Sequence, residues 1–308
     1  MQIHQNISAL PSFRNPVITI GTFDGVHTGH KQIINQLKQE AAQINGETVI
    51  ITFYPHPRKV VSPRPDVMLL NTPEEKTTLL DKEGIDHLVV VPFTPAFAEQ
   101  TAAEYISHFL VGQIKPHTII IGYDHRFGKN REGDYLMLEA CSTQYGFIVK
   151  EISEKILHEA AVSSTRIRQA LSEGDIQTAN ELLGYDYFFE GKVVEGNKLG
   201  RTIGYPTANI EVSNTEKLIP ANGVYAVEVK VNNRTLKGMM NIGVRPTING
   251  TKRTIEVNIF DFDEDIYGAD IQVLLKFFLR AEQKFNGLDA LKAQLAKDKE
   301  NATDKLNA

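Results

Sequence analysis

The sequence predicts two domains of different fold class: an α/β domain with a doubly wound parallel sheet, then a small antiparallel β-barrel with a terminal helix. The chain has 308 residues, enough for two hydrophobic cores. Up to residue 184, short β-branched apolar runs alternate with segments of helical period, which is typical of crossover units on a parallel sheet. After Tyr185 the pattern changes to alternating stretches broken by Gly, Asn and Pro. We therefore expect domains at residues 1–184 and 185–308.

The first domain is predicted from five apolar runs and the helical segments between them. The predicted strands are Val17–Ile20, Thr48–Phe53, Leu88–Val91, Thr118–Ile121 and Phe147–Ile152. The predicted helices are Lys31–Ile44, a segment opened by Thr72 and Pro73, Ala102–Leu110, Tyr135–Gln144, Ser163–Ser172 and Asp175–Leu183. Gly184 is a plausible helix stop.

The second domain is predicted from period-2 stretches that read as barrel strands. These are Phe188–Val194, Tyr225–Val231, Thr235–Asn241, Thr254–Phe260 and Ile271–Leu279. Asn232 and Asn233 stand between two of them and predict a hairpin turn. One helix, Leu288–Lys297, and a polar tail from Lys299 complete the expected domain.

Composition excludes several classes of protein. With 42% hydrophobic residues, 23% charged residues and a net charge of −5, the chain is typical of a soluble globular protein and not of a disordered one. A single cysteine, Cys141, allows no disulfide within the chain and no thiolate zinc cluster, which favours the reducing cytosol. No signal peptide or apolar run long enough for a membrane span is visible. The acidic balance argues against general nucleic-acid affinity, and a monomer is the default expectation.

The first candidate site is the stretch from Gly21 to His30, which follows a predicted buried strand and opens a helix. Glycines let the backbone approach a ligand, and a helix N-terminus offers unpaired N–H groups to phosphate. His27 and His30 fall on one face and can hydrogen-bond to phosphate oxygens. The alternatives are a plain helix start with two surface histidines, or a metal pair, which lacks an evident third ligand.

A second element, residues 162–168, sets three consecutive hydroxyl residues before two arginines. We expect the hydroxyls to cap a helix, with Arg166 and Arg168 in its first turns as multi-donor clamps for triphosphate oxygens. A capped helix with solvated arginines is the alternative. Two further stretches, residues 52–57 and 122–134, follow predicted strands and should lie at the same edge of the sheet. Pro55 and Pro57 could instead simply shape a loop.

In the barrel half, residues 196–209 form a glycine-rich loop that ends in Pro206-Thr-Ala-Asn209. Such a loop can wrap phosphates with backbone N–H groups, while Thr and Asn oxygens can ligate Mg²⁺. It lacks the ending of a P-loop, and barrels also use glycine at corners and bulges. Glu256 stands in an alternating stretch in which it shares a face with Thr254 and Asn258, so a solvated strand glutamate is the alternative to a chemical role.

These motifs resemble known families. His27-Thr-Gly-His30 and Val162-Ser-Ser-Thr-Arg-Ile-Arg168 resemble the HxGH and (I/V)SSTxIR motifs of the nucleotidyltransferase superfamily, which implies a Rossmann-like domain. Residues 52–57 and 122–134 resemble segments of the prokaryotic FMN adenylyltransferase module, although His125 stands where that family usually has an aromatic residue. The resemblance implies that His27 and His30 bind the phosphates around the attacked α-phosphorus. It also implies an ATP and phosphate set of Gly21, Thr22, Phe23, Asp24, Gly29, Ser163, Ser164, Thr165, Arg166 and Arg168, and a flavin set of Pro55, His56, Asp124, Arg126 and Phe127.

Residues 196–209, 241–247 and 255–262 are similar, in matching order, to the riboflavin kinase domain, with Asn258 at a position often occupied by His. This resemblance implies Glu256 as general base for the riboflavin 5′-hydroxyl, with Thr207 and Asn209 at Mg²⁺ and the ATP phosphates. The implied phosphate set is Gly196, Gly200, Arg201, Gly204, Thr207 and Asn209.

Taken together, the resemblance covers nearly the whole chain and points to the bifunctional prokaryotic riboflavin kinase/FAD synthetase family. It implies ATP-dependent phosphorylation of riboflavin to FMN, and then adenylylation of FMN to FAD with release of pyrophosphate. Riboflavin, FMN and ATP are the expected small-molecule substrates. One rival is an adenylyltransferase whose barrel only senses flavin. The other is a nucleic-acid-binding protein, which the composition disfavours.

Overall fold

A computed structural model of the chain describes residues 1–61, 67–122, 125–196, 199–247 and 250–308. The side chains of residues 154–163, 199, 245–247 and 250–252 also lie outside this description. The chain divides into two compact units, Met1–Ser164 and Thr165–Ala308. The division falls within a helix, ahead of the change of pattern at Tyr185. No helix among the described residues is long and apolar enough to cross a membrane.

The first unit contains a six-stranded sheet in which every neighbouring pair of strands is parallel. Its strands are β1 (Gln2–His4), β2 (Val17–Ile20), β3 (Thr48–Tyr54), β4 (His87–Pro92), β5 (Thr118–Gly122) and β6 (Ile148–Ile152). They lie in the order β1-β4-β3-β2-β5-β6. The five predicted strands are confirmed, and β1 was missed because three residues are too few to show a period.

Helices flank this sheet. They are α1 (Thr28–Gln43), α2 (Pro57–Val61), α3 (Pro73–Lys82), α4 (Pro95–Ala98), α5 (Ala102–Glu104) with its π-type continuation Tyr105–Ile114, α6 (Tyr135–Tyr145) and α7 (Glu154–Glu173). The predicted helix start at Thr72 and Pro73 is confirmed at α3, where Thr72 and Glu75 form a reciprocal capping box around Pro73. Strands β2 to β5 contribute fully buried Val and Ile side chains, so the core lies on both faces of the sheet centre.

The expectation that hydroxyl residues cap a helix at residue 163 is wrong. Helix α7 begins at Glu154, so Ser164 and Thr165 lie in its interior. Residues 154–161 include Glu, Lys, Leu and Ala, which are strong helix formers, and they extend the helix toward the N-terminus through the expected cap.

The second unit is a closed six-stranded barrel with the strand order β10-β11-β8-β7-β12-β9. Its strands are β7 (Phe188–Val194), β8 (Ala208–Glu211), β9 (Gly223–Val231), β10 (Arg234–Thr247), β11 (Gly250–Ile259) and β12 (Asp270–Arg280). The predicted hairpin is confirmed, because Asn232 and Asn233 have φ of 50° and 59°, the left-handed pair that a type I′ turn requires. The four-residue strand β8 was not predicted, since it is too short to show alternation.

Three helices accompany the barrel: α8 (Ile176–Leu183), α9 (Leu199–Thr202) and α10 (Leu288–Asn307). Asp175, the first residue of the predicted helix, is the N-cap of α8, and the helix ends before Gly184, which is left-handed and stops it as predicted. Helix α10 continues ten residues past the predicted end. Beyond Lys297, among the described residues, Ala302 and Leu306 join the apolar cluster with barrel residues, and two apolar positions are too few to predict a helix from the sequence.

The segment between Ser164 and Tyr185 packs against the barrel. The Asn180 side chain donates to the Leu275 carbonyl at 2.9 Å and accepts the Tyr187 N–H at 2.8 Å. The Ala221 N–H donates to the Leu171 carbonyl at 2.9 Å. These hydrogen bonds place the end of α7 and all of α8 in the second compact unit.

Two candidate active sites

The first candidate site lies where the strand order of the parallel sheet reverses. Successive strands run outward from β2 in one direction through β3 and β4, and in the other direction through β5 and β6. In an open α/β sheet the crevice at the carboxyl ends of two such strands is the usual ligand site. The Gly21–His30 loop leaves β2 at this edge and leads into α1.

His27 is the N-cap of α1 and is completely buried. Its Nδ1 accepts the backbone N–H of His30 at 3.3 Å, and its Nε2 lies 2.8 Å from the Ser164 hydroxyl. Because Nδ1 is an acceptor, the proton of the neutral ring is on Nε2, which donates to Ser164. The structure thus brings together two predicted residues that are 137 positions apart in the sequence.

The His30 ring stacks on His27, with centroids 3.7 Å apart and planes inclined by 14°, and the centroid of the Phe23 ring lies 4.8 Å from that of His30. Its Nδ1 is buried and has no hydrogen-bond partner among the described residues. Burial, and then the nearby His27 and Lys76, lower the pKa of His30 well below 6.5. An unpaired buried donor or acceptor is costly, so this nitrogen is a natural contact for a ligand.

The backbone of the loop bends sharply before α1. Phe23 and Val26 have φ of 47° and 37°, in the left-handed region that non-glycine residues, and above all a β-branched residue such as Val26, rarely adopt. Gly25, with φ of 94°, tolerates a positive φ. The buried Asp24 carboxylate accepts the N–H groups of Leu70 and Asn71 at 2.9 to 3.2 Å. Asp24 therefore ties the loop to the segment before α3, and the contact of Asp24 and Phe23 with ATP stays a prediction.

Sequence reasoning missed Lys76, which contacts this loop. Lys76 of α3 donates from Nζ to the Thr22 carbonyl at 2.8 Å and contacts the Thr52 hydroxyl at 3.4 Å. Thr52 also donates to the Thr22 carbonyl, at 3.2 Å. Thr52 begins the predicted 52–57 segment, whereas no motif indicated Lys76, which lies well away from the loop in the sequence.

The residues predicted to bind flavin follow β3 and β5. The structure places one of them on the surface and one in the core. Pro55 and His56 follow β3, and Arg126 is exposed. Phe127 is buried against Tyr105, with ring centroids 5.1 Å apart, so in this structure it is part of the core. Asp124 lies outside the described residues.

The hydroxyl and arginine motif is only partly described. The Ser163 side chain lies outside the description, and Ser164 is the residue that reaches His27. Thr165, Arg166 and Arg168 follow on α7 and belong to the second unit. Thr165 and Arg166 are exposed and Arg168 is half-buried, so their role at phosphate stays a prediction.

The second candidate site is a cavity of about 300 Å³ in the barrel unit. A row of directly paired residues crosses four strands and lines it: Asn209 of β8, Glu256 of β11, Asn241 of β10 and Val224 of β9. Thr254 and Asn258 line the same cavity, while Ile255 and Val257 between them are buried, as the alternation predicted. Thr207 and Gly200 complete the predicted residues at its wall.

Close packing explains the glycines of the 196–209 loop. A Cβ on Gly196 would clash with the Asn209 amide, and one on Gly200 would clash with the Tyr205 carbonyl. Gly204 has φ of 84°. The Asn258 amide donates to the Pro206 carbonyl at 2.7 Å and so fixes the turn that carries Thr207. Arg201 is exposed on α9 and is not among the described residues that line the cavity.

Sequence reasoning missed the wall that faces this row. Arg280 and Glu282 at the end of β12 line the cavity, and so do Phe285, Leu291 and Asp298. Arg280 donates to the Asp298 carboxylate from Nε at 2.9 Å and from Nη2 at 2.7 Å. The sequence shows these charged residues at a strand end and inside a helix, but their spacing matches no motif that would predict a shared site.

Comparison with known proteins assigns both halves of the chain. A family model described as FAD synthetase matches residues 10–166, and one described as riboflavin kinase matches residues 183–306. Proteins named bifunctional riboflavin kinase/FMN adenylyltransferase match nearly the whole chain. One from Haemophilus influenzae is 40% identical and covers 92% of both chains. One from Escherichia coli is 38% identical, over 97% of this chain and 95% of its own, and one from Listeria monocytogenes is 42% identical, over 93% and 91%.

A solved structure shares the fold over both units. The crystal structure of a protein named macrolide-efflux protein, from Streptococcus pneumoniae, superposes with a TM-score of 0.87. It is 32% identical in sequence, and the match covers 98% of each chain.

Proposed function

The chain belongs to the bifunctional riboflavin kinase/FMN adenylyltransferase family and makes FMN and FAD, and on that premise we propose a separate site for each reaction. Riboflavin is phosphorylated in the barrel cavity, and FMN is adenylylated at the start of α1. The substrates are riboflavin, FMN and ATP, and we place both reactions in the cytosol.

For the kinase, the observation that carries the proposal is the direct pairing of Glu256 with Asn209 at the wall of one cavity. Glu256 takes the proton of the riboflavin 5′-hydroxyl while the hydroxyl oxygen forms its bond to the γ-phosphorus of ATP. The bond between that phosphorus and the bridging oxygen breaks, and ADP leaves. The glycine-rich loop and the Thr207 hydroxyl hold the phosphates opposite the carboxylate.

The residues of the cavity fit a magnesium ion. Mg²⁺ prefers oxygen ligands and usually takes only one or two from the protein, the rest coming from phosphates and water. The Thr207 hydroxyl and the Asn209 amide oxygen are such ligands, and both line the cavity beside Glu256. When bound, the ion neutralises charge on the phosphates. Among the described side chains there is no cluster of three His, Cys, Asp or Glu residues that would hold a metal without ATP.

For the adenylyltransferase, the observation that carries the proposal is the buried, unpartnered Nδ1 of His30 at the N-terminus of α1. A phosphate oxygen of FMN attacks the α-phosphorus of ATP, and pyrophosphate leaves. The helix N-terminus and His30 stabilise the charge on the phosphates without forming a covalent intermediate. His27 fixes the helix start and positions Ser164.

One pair of variants tests both assignments. In Glu256→Gln, FMN formation from riboflavin should fall about 10²- to 10⁴-fold, the usual loss of a general base, while supplied FMN is still converted to FAD. In His30→Ala, FAD formation should fall about 10²- to 10³-fold while FMN accumulates. Products are separated by chromatography over time with ATP and Mg²⁺. A variant that impairs the other reaction, or neither, removes its residue from the proposed site.

A further inference from the structure

Lys76 is a cation set behind the adenylyltransferase loop rather than on the surface. It lies in the first turn of α3, where its Nζ donates to the Thr22 carbonyl and contacts the Thr52 hydroxyl. Burial lowers the pKa of its ammonium group, and the nearby Asp24 carboxylate partly offsets this. A buried ammonium held by carbonyl and hydroxyl oxygens exerts its field on the groups in front of it with little screening by water.

His27 and His30, on the same loop as Thr22, are arranged for the uncharged state. If His27 carried a proton on both nitrogens, its Nδ1–H would point at the backbone N–H of His30, and the cap of α1 would be lost. The rings lie parallel at 3.7 Å, where two positive charges would repel strongly.

The groups that face His30 all favour its neutral form. Burial is the largest cause that lowers the pKa of His30, and the titratable groups that lower it further are His27 from the same helix start and then Lys76 from α3. Asp24 faces Lys76 and raises the pKa of that lysine. The Phe23 ring, whose centroid lies 4.8 Å from that of His30, adds no formal charge.

We propose that Lys76 is a positioning residue for adenylyl transfer: its ammonium group fixes the Thr22 carbonyl and places a positive charge against the Gly21–His30 loop, so that His30 meets the phosphates in a fixed position and as an uncharged hydrogen-bond donor. This inference rests on the proposed role of His30. The chemistry is consistent with it, because the attacking FMN oxygen and the leaving pyrophosphate are both anions and no proton has to move. A neutral imidazole is a competent donor to a developing negative charge.

The test compares Lys76→Met with Lys82→Met, an exposed lysine at the end of the same helix. In Lys76→Met, His30 should titrate closer to 6.5, as followed in the ¹⁵N-histidine spectrum of the full chain without ligands. FMN adenylylation should fall about 10- to 100-fold, and its acid limb should move up toward the new pKa. Lys82→Met should leave the spectrum, the rate and the pH profile as in the parent.

Lys76→Gln is a second variant, used in case Lys76→Met does not fold. It keeps an N–H donor for the Thr22 carbonyl but removes the charge, so it should move the titration of His30 in the same direction. Unchanged titration in the folded variants overturns the proposal, even if the rate falls. So does loss of the folded spectrum of the first unit in both variants, which would show a structural role only.

The titration is measured without substrate, so it is independent of what His30 binds. If His30→Ala makes FAD at the parental rate while Lys76→Met still moves the titration of His30, the proposed function fails and the coupling between the two residues stands.

Discussion

Asn209 and Glu256 are direct partners across strands β8 and β11, and Asn241 of β10 is the next residue in the same row. The proposed phosphate ligand and the proposed base are therefore spaced by hydrogen-bonded strands of a closed barrel and not by loops. A site built on such elements holds its geometry more precisely than one built on loops. Residues 196–209 lead into this row, so their packing has to fit the spacing that the barrel strands set.

The first prediction concerns the close packing of Gly196 against Asn209. A Cβ at this position would clash with the Asn209 side chain, so Gly196→Ala should displace the amide from the row. We expect FMN formation from riboflavin to fall by about 100-fold, the scale of a displacement of roughly 1 Å in an active site. FAD formation from supplied FMN should be unchanged.

Gly268→Ala is the matched control. It places an alanine at another glycine of the barrel unit, with φ of 78° and open space around it. It should cost about 1 to 2 kcal/mol of stability, because alanine is strained at this positive φ, and leave the FMN rate near that of the parent. Equal FMN rates in Gly196→Ala and Gly268→Ala would show that the position of Asn209 does not limit the reaction.

The second prediction concerns where the barrel unit begins. The domain boundary at Tyr185 is a prediction from the change of sequence pattern, but Asn180 and Leu171 make hydrogen bonds to barrel residues. A fragment of residues 165–308 should therefore resist urea better than a fragment of residues 185–308, because each lost hydrogen bond costs about 1 kcal/mol. Circular dichroism in a urea titration measures the difference. Identical midpoints, with equal phosphorylation of riboflavin, would support the boundary at Tyr185.

The elements that the sequence predicted best are those whose signal is local. Thr72, Pro73 and Glu75 predict the start of α3, because they form a capping box around a first-turn proline. Asn232 and Asn233 predict a turn, because asparagine tolerates the left-handed conformation. Thr207, Asn209 and Glu256, which only the resemblance to the riboflavin kinase domain brought together, line one cavity in the structure. Strand alternation alone predicted no more than the face that Glu256 shares with Thr254 and Asn258.

What could not be predicted depends on contacts between distant segments. Lys76 reaches Thr22 across 54 positions, and Arg280 reaches Asp298 across the start of α10. Periodicity within a window carries no information about such pairs. The same limit explains the misplaced start of α7, since the 162–168 motif looks like a cap only when the strong helix formers before it are given too little weight.

The third prediction concerns the pair of Arg280 and Asp298. The Asp298 side chain is only 1% exposed and also accepts from the Gln294 amide at 2.8 Å, so it is a buried charge tied to the barrel. Removing one partner of a buried ion pair leaves the other uncompensated, and Asp298→Ala should lower the free energy of unfolding by about 3 to 5 kcal/mol.

Two variants make that test specific. Asp304→Asn removes an exposed carboxylate from the same helix and should change stability by about 0.5 kcal/mol or less. Arg280→Met combined with Asp298→Leu removes both charges and should recover much of the loss. Urea titrations give the three values. A loss in Asp298→Ala no larger than in Asp304→Asn would mean that the pair does not hold α10.

The fourth prediction concerns the pH dependence of the first unit. The pKa of His30 in the folded chain is well below 6.5, mainly because of burial, so below pH 6.5 the unfolded chain binds a proton that the folded chain does not. Stability is therefore complete above 6.5 and is lost as the pH falls from 6.5 toward the folded pKa. His4, whose pKa burial also lowers, contributes with the same sign.

His30→Gln should weaken this dependence, whereas His108→Gln, at an exposed histidine of the same unit, should retain it. Hydrogen exchange of β2 and β3 peptides in urea, corrected for the intrinsic rate, reports the stability of the first unit at about pH 7.5 and about pH 5.5. We expect the parent and His108→Gln to lose protection on acidification, and His30→Gln to lose less. Equal losses in all three proteins would mean that His30 takes up its proton at the same pH in the folded and unfolded chain, and that the buried imidazole is not held neutral.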